Sequence, residues 1–304
     1  MYAPPPRITA EVFARLPDAL RKPTRGGEWF SHQPAMGQHH SVLEGPSFDA
    51  KGNLYCVDIP WGRIFRIDPQ GNFTVVAEYD GWPNGLRIHR DGRIFVADHK
   101  HGIMILDPDS GTVTPFLERT RIERFKGVND LYFGSNGDLY FTDQGLTGLH
   151  DPTGRVFRVR ASGEVDCLID NVPSPNGLVL SLDEKVLYLA VTRANAIWRL
   201  PFSDDGTVAK VGNFIQMTGG GGPDGISLDA AGNLAVCQIG MGALWLFNPQ
   251  GEPILRVDSP SGRQTTNVAF GGPERRTAFI TECEEGVILK AELPHPGRPM
   301  YSGF

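Results

Sequence analysis

A pattern that recurs six times at near-constant spacing limits this chain more than any other property of its sequence. The segments Glu44-GPSFDAKGNLYCVD, Asn84-GLRIHRDGRIFVAD, Asn129-DLYFGSNGDLYFTD, Asn176-GLVLSLDEKVLYLAVT, Asp224-GISLDAAGNLAVCQ and Asn267-VAFGGPERRTAFITE share one grammar. Each opens on a polar residue, runs into an alternating strand, turns, and runs into a second apolar strand. The opening residues are 40, 45, 47, 48 and 43 apart. A period near 45 with about four strands per unit marks propeller blades, so the pattern predicts an all-β, six-bladed β-propeller. A third strand follows in every repeat and usually a fourth, but the sixth repeat stops after GVILKAEL. The N-terminal run ITAEVFARL is expected to supply the missing strand and close the ring, removing its open edges. The expectation is a single domain over residues 1–304, with segment 1–40 giving the closing strand and a lid.

Composition narrows the function classes. The 304 residues carry a net charge of −6 with no basic run, which argues against nucleic-acid partners. No apolar stretch approaches the roughly 18 residues of a membrane span, and the start, MYAPPPRITAEVFARLP, lacks the basic and apolar regions of a secretory leader. A cytoplasmic location is the resulting expectation. Cys56, Cys167, Cys237 and Cys283 show no CxxC spacing, so they read as buried reduced thiols on strands. There is no Gly-x-Ser-x-Gly elbow for a serine hydrolase, and the run Gly219 to Gly222 lacks the Lys-Ser/Thr of a phosphate loop.

The innermost strand of each blade lines the central channel, so residues opening it should converge on one axis. They are Glu44, Asn84, Asn129, Asn176, Asp224 and Asn267, six oxygen-bearing side chains with two carboxylates. Hard cations such as Ca²⁺ take such ligands, whereas the absence of phased His or Cys argues against a dedicated zinc or copper site. The competing account is that Asn-Gly and Asp-Gly make turns because glycine accepts positive φ. A second ring, Asp58, Asp98, Asp143, Thr192, Gln238 and Glu282, closes the second strands; it reads either as a functional face or as structural hydrogen bonding.

The motifs Leu43-Glu44-Gly45-Pro46, Val128-Asn129-Asp130, Ser174-Pro175-Asn176-Gly177-Leu178 and Gly222-Pro223-Asp224-Gly225 resemble those of the gluconolactonase/regucalcin-like (senescence marker protein 30) family, over about Leu43 to Glu282. The resemblance implies a propeller holding one divalent cation, Ca²⁺ foremost and Zn²⁺, Mn²⁺ or Mg²⁺ as alternatives, through Glu44, Asn129, Asn176 and Asp224. It implies Asn84 and Asn267 as substrate-side contacts. The implied activity is hydrolysis of a small-molecule lactone, with the metal polarising the carbonyl and Asp224 activating water. Sugar-lactone members often carry arginine two residues before the second ligand; here that position is Gly127, with Lys126 beside it as a substitute substrate contact. His39 and His40 just precede Glu44, which makes His40 a further substrate-side candidate. Alternatives are a non-catalytic binding propeller with a structural ion and a phosphotriesterase-like hydrolase.

Overall fold

The computed structural model describes residues 4–22, 28–33, 36 and 39–304. Its strands form six sheets, antiparallel apart from one added strand, and the innermost strands, one per repeat, are Leu43–Phe48, Pro83–Ile88, Val128–Phe133, Pro175–Leu180, Gly222–Leu228 and Thr265–Gly271. Numbered in that order, these are blades 1 to 6 of the expected propeller.

The N-terminal run closes the ring, and it does so twice. Residues Glu11–Arg15 pair antiparallel with Val287–Glu292 as the fourth strand of blade 6. The preceding Arg7–Thr9 pairs in parallel with Pro253–Asp258, making blade 5 five-stranded. One short segment therefore stitches two adjacent blades.

Side chains alternate across each strand, so both faces of an inner sheet meet a neighbouring blade and both must be apolar. The core is accordingly six separate clusters, each shared by two adjacent blades. Val57 and Ile64 of blade 1 meet Val96 and Leu106 of blade 2; Leu43 and Phe65 of blade 1 meet Ala269 and Ile288 of blade 6. The last contact shows that the ring is sealed by burial as well as by strand pairing. Cys56 and Cys237 are buried on strands as expected, but Cys283 lies in a turn and Cys167 is exposed on an outer strand.

Every inner strand carries an extra residue at the same place. In blade 2, Pro83 pairs with Asp98 and Leu86 with Val96, so Asn84 and Gly85 together face only Ala97. The same shift occurs at Asn129-Asp130, Asn176-Gly177, Asp224-Gly225 and Thr266-Asn267; in blade 1 it follows Glu44, which pairs with Val57 while Ser47 pairs with Tyr55. Such bulges bend a strand and re-aim a side chain. Here they turn the first residue of each pair towards one mouth of the channel.

Turn chemistry does not explain the glycines at the second bulge position. Of Gly45, Gly85, Gly177 and Gly225, only Gly45 has positive φ. The requirement is room: a Cβ on Gly85 would lie 2.7 Å from the Asp130 Cα, and one on Gly177 2.6 Å from the Asp224 carbonyl oxygen. Each glycine lets the next blade's bulge approach the axis.

Candidate active site

Glu44, immediately before the blade 1 bulge, and the first bulge residues Asn84, Asn129, Asn176, Asp224 and Thr266 all line one cavity of about 810 Å³. Five of these were expected from spacing. The sixth corrects the expectation: Asn267 falls one residue later in register, on the second bulge position, and is absent from the cavity lining among the described residues. Its amide instead supports the ring from below, donating to the Glu44 Oε2 at 2.8 Å and to the Asp130 Oδ2 at 3.3 Å. Asp130 is the other non-glycine at that position. It is buried, with the Arg87 guanidinium 3.9 Å away. The sequence carried a signal for both, since Asp130 and Asn267 stand where four repeats have glycine.

Two further expectations are corrected. The Lys126 ammonium is tied to the Thr153 carbonyl oxygen at 2.7 Å and to its hydroxyl at 2.6 Å, and it does not line the cavity. His40 is held by Arg21 and likewise lies outside the lining. Of the expected lid, residues 23–27, 34–35 and 37–38 lie outside the described residues. The short helix Glu28–His32 contributes Trp29 and His32 to the cavity wall, and Met36 adds to it.

The second ring is structural hydrogen bonding. Asp58 accepts from the Val42 N–H at 2.8 Å and from Arg63, and Asp143 accepts from the Gly127 N–H at 2.8 Å and from Arg155 Nε at 2.8 Å. Glu282 accepts from the Glu284 and Glu285 N–H groups, and Gln238 donates to the Thr218 and Gly219 carbonyls. These groups pin the loops beside the inner strands. Burial pushes the Asp58 and Asp143 carboxyls up, and Arg63 on the one, the Gly127 N–H and Arg155 on the other, offset that push only in part.

In the first ring, carboxylates also repel one another. Burial, then the charges of Asp224 and Asp130, push the Glu44 carboxyl far above its usual range. Burial followed by Asp130 raises Asp224 to about 7, with the Asn176 amide and Arg193 pulling the other way. Asn129 adds a second sign of demand. Its Nδ2 donates to Gln144 Oε1 at 3.1 Å, and Gln144 Nε2 donates to Ser174 Oγ at 3.0 Å, which fixes the amide's orientation. The Asn129 Oδ1 is thereby buried with no partner among the described residues. Such an atom costs about 1–3 kcal/mol unless a ligand satisfies it.

Crowded carboxylates, an orphaned amide oxygen and further amides form an all-oxygen donor set that fits a hard divalent cation. Among the described residues no group of three or more His, Cys, Asp and Glu gathers as a metal site, so any cation held here would depend on the asparagine amides.

Comparison with known proteins bears on family and fold. A family model described as SMP-30/Gluconolactonase/LRE-like region matches residues 42–284. The lactonase drp35 of Staphylococcus aureus is 34% identical over 270 residues, covering 85% of this chain and 81% of its own. Among solved structures, the calcium-binding protein regucalcin of Agrobacterium tumefaciens has a TM-score of 0.77 at 24% identity and covers 99% of both chains. The gluconolactonase XC5397 of Xanthomonas campestris has a TM-score of 0.75 at 21% identity, covering 95% of this chain and 99% of its own. These two structural likenesses carry the fold.

Proposed function

This chain belongs to the SMP-30/gluconolactonase/LRE-like family, and from that membership we propose that it is a lactonase that holds one divalent cation, Ca²⁺ foremost, through Glu44, Asn129, Asn176 and Asp224. The observation that carries the cation is the orphaned Asn129 Oδ1 beside two buried carboxyls. Two carboxylates neutralise a +2 ion and leave the amides as neutral donors. When bound, the cation supplies Lewis acidity for the lactone carbonyl oxygen.

The chain's own residues supply the remainder. Asp224, kept ionised by a neighbouring positive charge, accepts the proton of the attacking water. Asn267, donating to Glu44, keeps that carboxylate aimed at the axis, and Gln144 keeps the Asn129 oxygen facing the cavity. Asn84 is the ring member on the substrate side. The opening collapses to a hydroxy acid, with the proton held on Asp224 passing to the departing alkoxide.

Trp29, Met36, Ile59, Leu146, Leu149 and Ile239 form an apolar share of the wall, and Leu146 and Leu149 are 57% and 71% exposed at its edge. With Lys126 turned away, this lining favours a lactone carrying an apolar substituent over a polyhydroxylated sugar lactone. Hydrolysis of a panel of five- and six-membered lactones, before and after chelation and with Ca²⁺ restored, tests the proposal. Turnover lost on chelation and regained with Ca²⁺ is expected; no lactone opened at any metal loading rejects the enzymatic reading and leaves the propeller as a binding module.

A further inference from the structure

Among the polar side chains of the cavity wall without a task in the chemistry above, one is placed unusually. His99 follows the second strand of blade 2, its backbone N–H donating to the Trp82 carbonyl oxygen at 2.9 Å. Its ring crosses to blade 3 and lies against Gly127, two residues ahead of Asn129. A Cβ on Gly127 would stand 2.3 to 2.6 Å from the ring atoms Cε1, Nε2 and Nδ1, and Gly127 has φ +153°. The imidazole thus fills the volume in which a side chain at position 127 would begin. Glycine there suits both its own positive φ and the ring set against it.

Two histidines with partners, His101 and His40, differ from it. His101 contacts the Asp80 carbonyl oxygen at 2.6 Å and His40 contacts Arg21. Neither His99 ring nitrogen makes a hydrogen bond among the described residues, although the ring lines the cavity together with Asn84 and Asn129. Its remaining contact is a tilted packing on Trp82, ring centroids 5.9 Å apart. A phenylalanine would pack there equally well but would bring no polar atom to the cavity, whereas the half-buried imidazole brings two that no hydrogen bond engages among the described residues. Burial holds the imidazole down to about 4, with His32 acting in the same direction and Asp98 against it. At neutral pH the ring therefore offers one N–H donor and one lone pair, and no charge.

We propose that His99 is a substrate-binding residue of this site, a neutral imidazole that enters through the space opened by Gly127 and hydrogen-bonds an oxygen of the bound lactone. The proposal rests on the lactonase reading above. It separates recognition from cation binding: the ring residues of blades 1, 3, 4 and 5 hold the ion, while blade 2 contributes the contact to the organic ligand. Its ligand class is a lactone with an accessible ring-side oxygen, for which a neutral donor suits an uncharged ester.

The test compares the Ca²⁺-loaded wild type with His99→Phe, which keeps the packing on Trp82, and His99→Gln, which keeps a side-chain N–H. Loss of one neutral hydrogen bond made equally in the bound and activated states raises KM about five- to tenfold with kcat little changed. That result is expected for His99→Phe, with His99→Gln returning most of the loss. Ca²⁺ affinity by calorimetry should be the same in all three proteins. Adding a non-hydrolysable lactam should shift the ¹⁵N resonances of the His99 ring in the wild type. An unchanged KM in His99→Phe with active wild type overturns the proposal, as does a KM change matched by weakened Ca²⁺ binding, which would make His99 a support for the ring. A wild type that opens no lactone overturns the underlying lactonase reading, and this proposal with it.

Discussion

Two polar rings repeat with the same period in this propeller, both buried, and they behave in opposite ways. In the outer ring, Asp58, Asp143, Gln238 and Glu282 spend their oxygens and amides on backbone groups and arginines. In the inner ring, Asn129 Oδ1 is unsatisfied and Asp224 is pushed up to about 7. Buried polarity alone therefore does not mark a site; buried polarity left without partners does.

Breaking the contrast gives the largest effects. Asp224→Asn should lower lactone turnover by a thousandfold or more while circular dichroism and the metal-free melting temperature stay close to wild type, because one repelling carboxylate is removed. Asp58→Asn should do the reverse, costing about 3–5 kcal/mol in urea unfolding by leaving the buried Arg63 without its counter-charge, with the Ca²⁺ requirement of the surviving folded enzyme intact. Equal loss of stability in both variants would remove the distinction between the rings.

The steric reading of the bulge glycines predicts a slightly smaller cost. A Cβ on Gly225 would lie 2.0 Å from the Asn267 Cγ, so Gly225→Ala should destabilise by about 3 kcal/mol, read by urea midpoint. A neutral outcome would overturn the steric reading.

Acid sharpens the comparison from the side of the cavity wall. His99 is held near 4 in the folded chain against 6.5 when free, so the unfolded chain takes up the proton first as pH falls. The associated stability is whole above about pH 6.5 and is lost as the pH drops towards 4. Between pH 7 and pH 5 the wild type should lose about 2 kcal/mol more than His99→Gln, measured as the difference in denaturant midpoints. Smallest of all, Lys126→Ala should leave KM within about twofold, since its ammonium is occupied by Thr153.

The repeat was legible because oxygen-bearing residues, strands and turns recur at one spacing, and Glu44, Asn84, Asn129, Asn176 and Asp224 were legible with it. Asn267 was misphased by one residue for a physical reason. A bulge places two residues opposite one, and a sequence reading that aligns polar residue with polar residue cannot count that extra step, whereas the pairing of Thr265 with Glu282 does. Gln144 and Ser174 were missed because their function is to orient another side chain across two blades, a relation with no local spacing. No spacing in the sequence singles out His99; the contact with Gly127 from the adjacent blade does.

The double stitch at the chain's beginning has a kinetic consequence. Arg7 pairs with Arg256 and Glu11 with Lys290, so these contacts span roughly 250 to 280 positions of chain. Closing a loop that long is an entropic cost met before any of its contacts form, and topologies dominated by distant pairings fold slowly. Blades 1 to 5 can assemble four strands from near neighbours, but blade 6 waits for a segment made long before it. During synthesis the early strands must stay unpaired until the last repeats emerge, so the moment of ring closure, and with it the assembly of the inner oxygen ring, falls at the very end of folding.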